Sequence, residues 1–411
     1  MRDQQAGPAD RSADSDAQVD PEASDYGTQW RTAMEYQCIS ADGHLDLGWM
    51  PPDLFVKNAT AGVQDLMPYV GDGPDGPTWI NKRGQVFGLA CQMGSGGRKY
   101  VPGKIDRADR MASEGLYSDA SRAARRLTNP ELRLKDQDRD GIQAEVLYGI
   151  LGAVNRVNDG KAGAEITRIY NDWLADFCKA SPKRLVGLGL IPGNNVQAAV
   201  AEAKRVAGMG LRGVEMSLGG GAIPLFERQW DPLWAVMQEA ALPLHLHITP
   251  YLLTPDPAHW THMESRANNA VLLGKSPLAA VDSLMQMMFG GALERFPGLS
   301  MVFAESGLSW IPYVLERMDY EFSDQYKDLP LKLKPSEYWK RQCKATFQLD
   351  FLGMRLVDLI GEDSLMWGSD FPHPDGLWPD SQDNIDKQFS GLSDRLKKKI
   401  TCENAAKLYR L

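Results

Sequence analysis

LVGLGLIPGNNVQAAVAEAKRVAGMGLRGVEMS, residues 185–217, decides the fold. An apolar run, Leu185–Ile191, leads into a helical stretch, Val196–Gly208, and then into a second apolar run, Gly213–Ser217. Two strands joined through a helix are expected to lie parallel, because parallel neighbours need a crossover connection. The stretch also contains Gly208-Met-Gly210-Leu-Arg-Gly213, which fits a dinucleotide-binding pattern of glycines. Its context excludes that reading, since it follows a helix and precedes a strand, the reverse of what a pyrophosphate cradle requires.

The same alternation continues in both directions. Further strands are expected at Tyr36–Ala41, Ile142–Tyr148, Pro243–Ile248, Ser300–Ala304, Ala345–Leu349 and Leu365–Gly368. Helices are expected at Ala164–Lys179, Asp231–Ala241, Leu278–Arg295, Trp310–Tyr326 and Leu352–Ile360. Eight strands with interleaved helices predict an α/β chain, a (β/α)8 TIM barrel, with an open doubly wound sheet as the competing architecture. Residues 48–129, rich in Gly, Pro and charge, interrupt the rhythm after the first strand, and 249–277 do so after the fifth. Insertions at the strand C-termini of a barrel shape the substrate pocket.

The chain has 411 residues, 24% of them charged, and a net charge of −9. That balance excludes a general nucleic-acid binder, which needs a basic face. More than half of the charge sits in residues 1–30, with seven acids against two bases, so residues 1–33 read as a disordered acidic tail before a barrel spanning 34–411. The tail lacks the apolar core of a secretory signal, and no apolar run is long enough to span a membrane. Five scattered cysteines with no CxxC pair suit a reduced, cytoplasmic protein.

With only six histidines, their positions carry information. The first strand ends in Asp42-Gly43-His44, and residues i and i+2 of a strand share a face, so a carboxylate and an imidazole can both enter the barrel mouth. These are donors that Zn²⁺ or Mn²⁺ accepts. On the fifth strand His245 and His247 share a face, with His247 nearer the mouth as the better ligand and His245 a layer deeper. The sixth strand ends at Glu305, a carboxylate that is costly at the end of an apolar run unless it meets a cation or donors. The eighth ends at Asp370, with His373 one short turn later. One mouth can gather all of these groups.

Five segments carry a family resemblance: ISADGHLDLGWMPPDLF at 39–55, DRDGIQAEVLYG at 138–149, LPLHLHIT at 242–249, FPGLSMVFAESGLSWIPYVLERMD at 296–319 and MWGSDFPHPDGLWP at 366–379. The chain resembles the amidohydrolase-related family, in the branch of the aminocarboxymuconate-semialdehyde and resorcylate decarboxylases. The resemblance implies a barrel with a divalent metal, a homo-dimer or higher oligomer, and Asp42, His44, His247 and Asp370 as ligands. Many members carry a histidine where this chain has Glu305, and a carboxylate there can bind metal or act as a base but cannot be an imidazolium.

The expected function is a metal-dependent hydrolase or non-oxidative decarboxylase acting on a small, carboxylated organic substrate. Asp370, Glu305 and His373 are its expected catalytic groups, and Asp42, His44, His247, Asp370 and Glu305 the metal donors. Trp49, Tyr251, Trp310 and His245 are candidates for contacting substrate. Two alternatives stand beside it: an O2-dependent monooxygenase with a dinuclear Fe or Mn/Fe centre, and a non-catalytic metal-containing subunit of a hetero-oligomer. Zn or Mn is the expected ion, Fe the alternative, in one or two copies.

Overall fold

The structure, a computed structural model, describes residues 36–94, 96–118, 126–157, 159–218, 223–247 and 259–411. The acidic tail, the Gly219–Gly221 loop and Tyr251 lie outside the described residues.

Eight parallel strands form the barrel: β1 (Ile39–His44), β5 (Ala144–Tyr148), β6 (Leu185–Pro192), β7 (Gly213–Ser217), β8 (Leu244–His247), β9 (Met301–Ala304), β10 (Cys343–Phe347) and β11 (Leu365–Trp367). A parallel bridge between Gly43 and Phe371, just past β11, brings the two edge strands together. The stretch first quoted is β6, a helix at Val196–Ala207 whose N-cap Asn195 accepts the Ala198 amide, and β7, paired in parallel over five residues. The open doubly wound sheet is thereby excluded.

β1 differs from expectation in its bounds. It begins three residues later and runs through His44, so the polar Asp-Gly-His lies inside the strand. Its pairing with β5 carries one extra residue between Ser40 and Gly43. This bulge shifts the alternation: Ile39 and Ala41 pack in the barrel interior, and Asp42 and His44 turn inward above them. Gly43 then faces outward, where a Cβ would fall 2.2 Å from Glu145 Oε1, so only glycine fits.

The expected helix Leu278–Arg295 is two, Ala279–Phe289 and Ala292–Arg295, broken at Gly290-Gly291 with Gly291 at φ 70°. The region after β1 folds into a three-stranded antiparallel sheet of β2 (Tyr69–Gly73), β3 (Gly76–Ile80) and β4 (Val86–Leu89), then a helix at Asp106–Ser113. After β8, the described part of the second insertion is a helix at His262–Lys275 with a Thr261/Glu264 capping box and no buried residue.

The core has three parts. A large apolar layer separates barrel from helices, and a smaller interior cluster is plugged by Cys402, Ala405 and Tyr409 from the C-terminal segment. A third cluster, including Trp49, Met111, Tyr117 and Trp378, holds the first insertion against the mouth. All five cysteines are buried. Among the described residues no helix is long and apolar enough to cross a membrane.

Candidate metal centre

β1, β8 and the segments just past β9 and β11 deliver the expected donors to one point. His44 Nε2 lies 3.0 Å from Asp370 Oδ1 and 3.4 Å from Asp42 Oδ1. His247 Nε2 lies 3.4 Å from Glu305 Oε2 and 3.9 Å from Asp42 Oδ1. The His44 ring stacks on His373 at 3.9 Å and meets His247 edge-on at 5.0 Å.

Glu305 and Asp370 both adopt left-handed backbone, at φ 51° and 56°. Such conformations cost a non-glycine residue about 1–3 kcal/mol and persist where the surroundings enforce them. Here the enforcement is visible. The Glu305 amide donates to Thr346 Oγ1 at 2.7 Å and to Asp42 Oδ2 at 3.1 Å, and the Asp370 amide donates to the Asp42 carbonyl at 2.9 Å.

A divalent ion fits this set. Asp42 Oδ1, His44 Nε2 and both Asp370 oxygens are buried and form no well-aligned hydrogen bond among the described residues. Burying such groups is costly unless something else satisfies them. Metal bonds of about 2.0–2.2 Å place neighbouring donor atoms roughly 3.0–3.5 Å apart, the spacing seen for most of these pairs. The donors also fall into two overlapping groups, His44, Glu305, Asp370 and His373, and Asp42, His44 and His247.

The electrostatics suit a cation-centred cluster. Burial opposes the charge on Asp370, but His373 and His44 outweigh it and hold its pKa well below the usual carboxylate range. Glu305 goes the other way: burial, then Asp370 and Asp375, hold it far up, so without a cation it keeps its proton. His373 bridges Asp370 and Asp46, each at 3.0 Å, and these acids overcome burial to keep it protonated.

The remaining candidates lie elsewhere. His245 is a layer below, its Nδ1 2.8 Å from the Tyr148 hydroxyl, and burial drives its pKa down to about 3, so it is neutral. Trp49 is 1% exposed within the insertion cluster. Trp310 donates to the Ser306 carbonyl at 2.8 Å and packs on Trp339. None of these three borders the cavity described next. His259 and His262 are exposed.

A cavity of about 520 Å³ opens over the cluster, bordered by His44, His247, Glu305 and His373, with Phe87 from the first insertion and Leu272 from the second. Sequence reasoning missed three of the groups that serve it. Asp46 continues the Asp42–His44 alternation by one step, a signal present in the sequence. Glu215 is an acid inside the apolar run of β7, and the cost argument applied to Glu305 would have found it. It accepts the Gly149 amide at 2.9 Å, and burial raises its pKa to about 7. Thr346 carries no such signal.

A closed (β/α)8 barrel with imidazole and carboxylate donors converging at the C-terminal ends of its strands defines a metal-dependent barrel enzyme. The family model for amidohydrolases matches residues 103–411, and the chain belongs to the amidohydrolase family. Among curated relatives, the gamma-resorcylate decarboxylase of Rhodococcus jostii is 26% identical over 321 residues, covering 72% of this chain and 92% of the relative. A solved amidohydrolase from Mycobacterium avium subsp. paratuberculosis superposes with a TM-score of 0.70 at 19% identity, over 92% of this chain and 98% of that one. The 5-carboxyvanillate decarboxylase of Novosphingobium aromaticivorans, solved with manganese and a nitrobenzoic acid, gives 0.58 at 23% identity, over 75% and 92%. At these identities the two structures establish a shared fold.

Proposed function

We propose that the chain is a metal-dependent, non-oxidative decarboxylase of a carboxylated aromatic acid. The observation that carries it is the convergence of Asp42, His44, His247 and Asp370, with Glu305 beside them, where His44, His247 and Glu305 border the cavity. Gamma-resorcylate decarboxylase among the relatives supports the substrate class, and the manganese-bound neighbour supports Mn²⁺.

Those four residues would hold the ion, which when bound supplies Lewis-acid polarisation of a substrate oxygen. His373, clamped between Asp370 and Asp46, orients Asp370. Glu305, at the cavity edge, would deliver from its carboxyl oxygen the proton that replaces the departing CO2 on the ring carbon, and recover one from water. The apolar wall contributed by Phe87 and Leu272 holds the ring and excludes solvent.

The test is CO2 release from a panel of hydroxybenzoic acids by manganese-loaded protein, with Asp370→Asn alongside. Loss of turnover by at least about a hundredfold is expected, on the scale of disrupted metal sites. Unchanged turnover in the variant, or turnover surviving chelation, overturns the proposal. Hydrolysis of carboxylated amides without CO2 release replaces it with the hydrolase reading. The two donor groups favour one further reading, a dinuclear Fe or Mn/Fe oxygenase. Two ions per chain with oxygen uptake would select it, and one ion with no oxygen dependence removes it.

A further inference from the structure

The acids bordering the cavity, among them Asp46, Glu215, Glu305 and Asp375, gather around the metal centre or its immediate neighbours. The cations do not all follow them. Arg156, in the segment after β5, borders the same cavity from the side of the first insertion. Its Nη1 donates to the Phe87 carbonyl, and among the described residues it forms no ion pair. A half-buried guanidinium cannot shed its proton, so it wants an anion. The residue set against its Nη2 is a glycine, Gly96. A Cβ built on Gly96 would lie 3.2 Å from Nη2, so any other side chain there would press on that nitrogen. Arg98 borders the cavity too, but is exposed.

We propose that Arg156, kept open by Gly96, is a second anion site in this cavity, so that the substrate carries an anionic group at the metal centre and another at Arg156, joined by an apolar body. The inference rests on the decarboxylase reading for the group at the metal, and Arg156 determines specificity rather than chemistry. A cavity of about 520 Å³ has room for such a molecule, whose apolar middle meets Phe87, Leu151 and Leu272.

The probes are 2-hydroxybenzoates bearing at ring position 4 a carboxylate on a spacer of zero to four methylenes, each beside its neutral methyl ester. Dissociation constants are measured by calorimetry on the full-length, manganese-loaded protein. At least one spacer length should bind about tenfold or more tighter as the dianion than as the ester, the scale of one charge-assisted hydrogen-bonded pair. Arg156→Met should bring that ratio within twofold of one while leaving the ester's affinity unchanged, and Arg156→Lys should retain part of it. Gly96→Ala, which keeps the arginine, should lower the ratio as well. No preference at any spacer length in the wild type overturns the proposal, as does a preference that survives both Arg156→Met and Gly96→Ala. If Arg156→Met fails to fold, Gly96→Ala and Arg156→Lys decide by the same ratio. CO2 release is read separately. A dianion preference without release keeps the anion site and removes the decarboxylase, and release without the preference does the reverse.

Discussion

The Thr346 hydroxyl donates to Asp42 Oδ2 at 2.7 Å and accepts the Glu305 amide at 2.7 Å, so one side chain of β10 fixes a carboxylate-bearing residue of β1 and another just past β9. It leaves Asp42 Oδ1 as the oxygen turned toward the imidazoles. Groups that aim a ligand typically contribute about 10–100-fold in metal affinity. Thr346→Val keeps the volume and removes both bonds. The Mn²⁺ dissociation constant should weaken by that factor in a competition titration, and an unchanged constant would mean Asp42 is aimed by the strand alone. A second residue sets the pH dependence. Burial and the neighbouring His373 push the pKa of His44 down, but Asp370 and Asp42 outweigh both, and it is pushed up to about 9. A ligating imidazole must be neutral, so if His44 holds the proposed ion, binding at pH 7 expels that proton. Apparent metal affinity should therefore rise with pH and level off above about 9. Calorimetry in buffers of different ionisation enthalpy should count about one proton released per ion at pH 7. A flat affinity between pH 6 and 9 would refute the assignment.

The segments that carry Asp42, His44 and Asp370 are held from outside the barrel by one residue of the helix Pro130–Arg139. Arg133, fully buried, binds both Glu145 oxygens at 2.6 and 2.9 Å, and donates to the carbonyls of His44 at 3.0 Å and Phe371 at 3.3 Å. It thus joins β1, β5 and the segment after β11 beneath the Phe371 ring, 4.6 Å away. Removing one partner of a buried pair strands a charge and costs about 3–5 kcal/mol. Arg133→Met should lower the denaturation midpoint accordingly, and Arg133→Met with Glu145→Gln should recover part of the loss. Equal stability of the single and double variants would show that the pair is not the source. None of this could be read from the sequence, because an arginine in a polar helix looks solvated until the fold places it against Glu145. The strands themselves were readable, since most residues of each buried run are apolar or β-branched. β1 was misplaced for the same reason: Asp42-Gly43-His44 does not look like buried strand, and only the bulge and the Arg133–Glu145 pair explain why it is. The donors at strand ends stood out as polar residues closing apolar runs. Thr346 did not, because threonine is ordinary in a strand.

The strand ladder is uneven around the whole barrel. β6 and β7 pair over five residues, whereas β1 and β11 show no ladder and meet through the Gly43–Phe371 bridge. That seam is held by His44 N to the Phe371 carbonyl at 2.8 Å, Asp370 N to the Asp42 carbonyl at 2.9 Å, and Ser369 N to Ser40 Oγ at 2.9 Å. Asp42 and His44 lie on one side of it and Asp370 on the other. An ion bound by all three would bridge the least-paired joint in the barrel, so its binding energy would act on closure and not only on chemistry. Ligand at a hundredfold excess over its dissociation constant stabilises the folded state by about 2.7 kcal/mol. Local opening of a weakly paired element lies below global unfolding, so the effect should concentrate at the seam. On removing metal with a chelator, the amides of His44 and Asp370 should exchange with deuterium at least about tenfold faster, while those of Leu188–Ile191 in β6 hold their rates. A uniform acceleration over all eight strands would mean that the ion stabilises the fold as a whole. No acceleration at the seam would mean that the barrel closes without it.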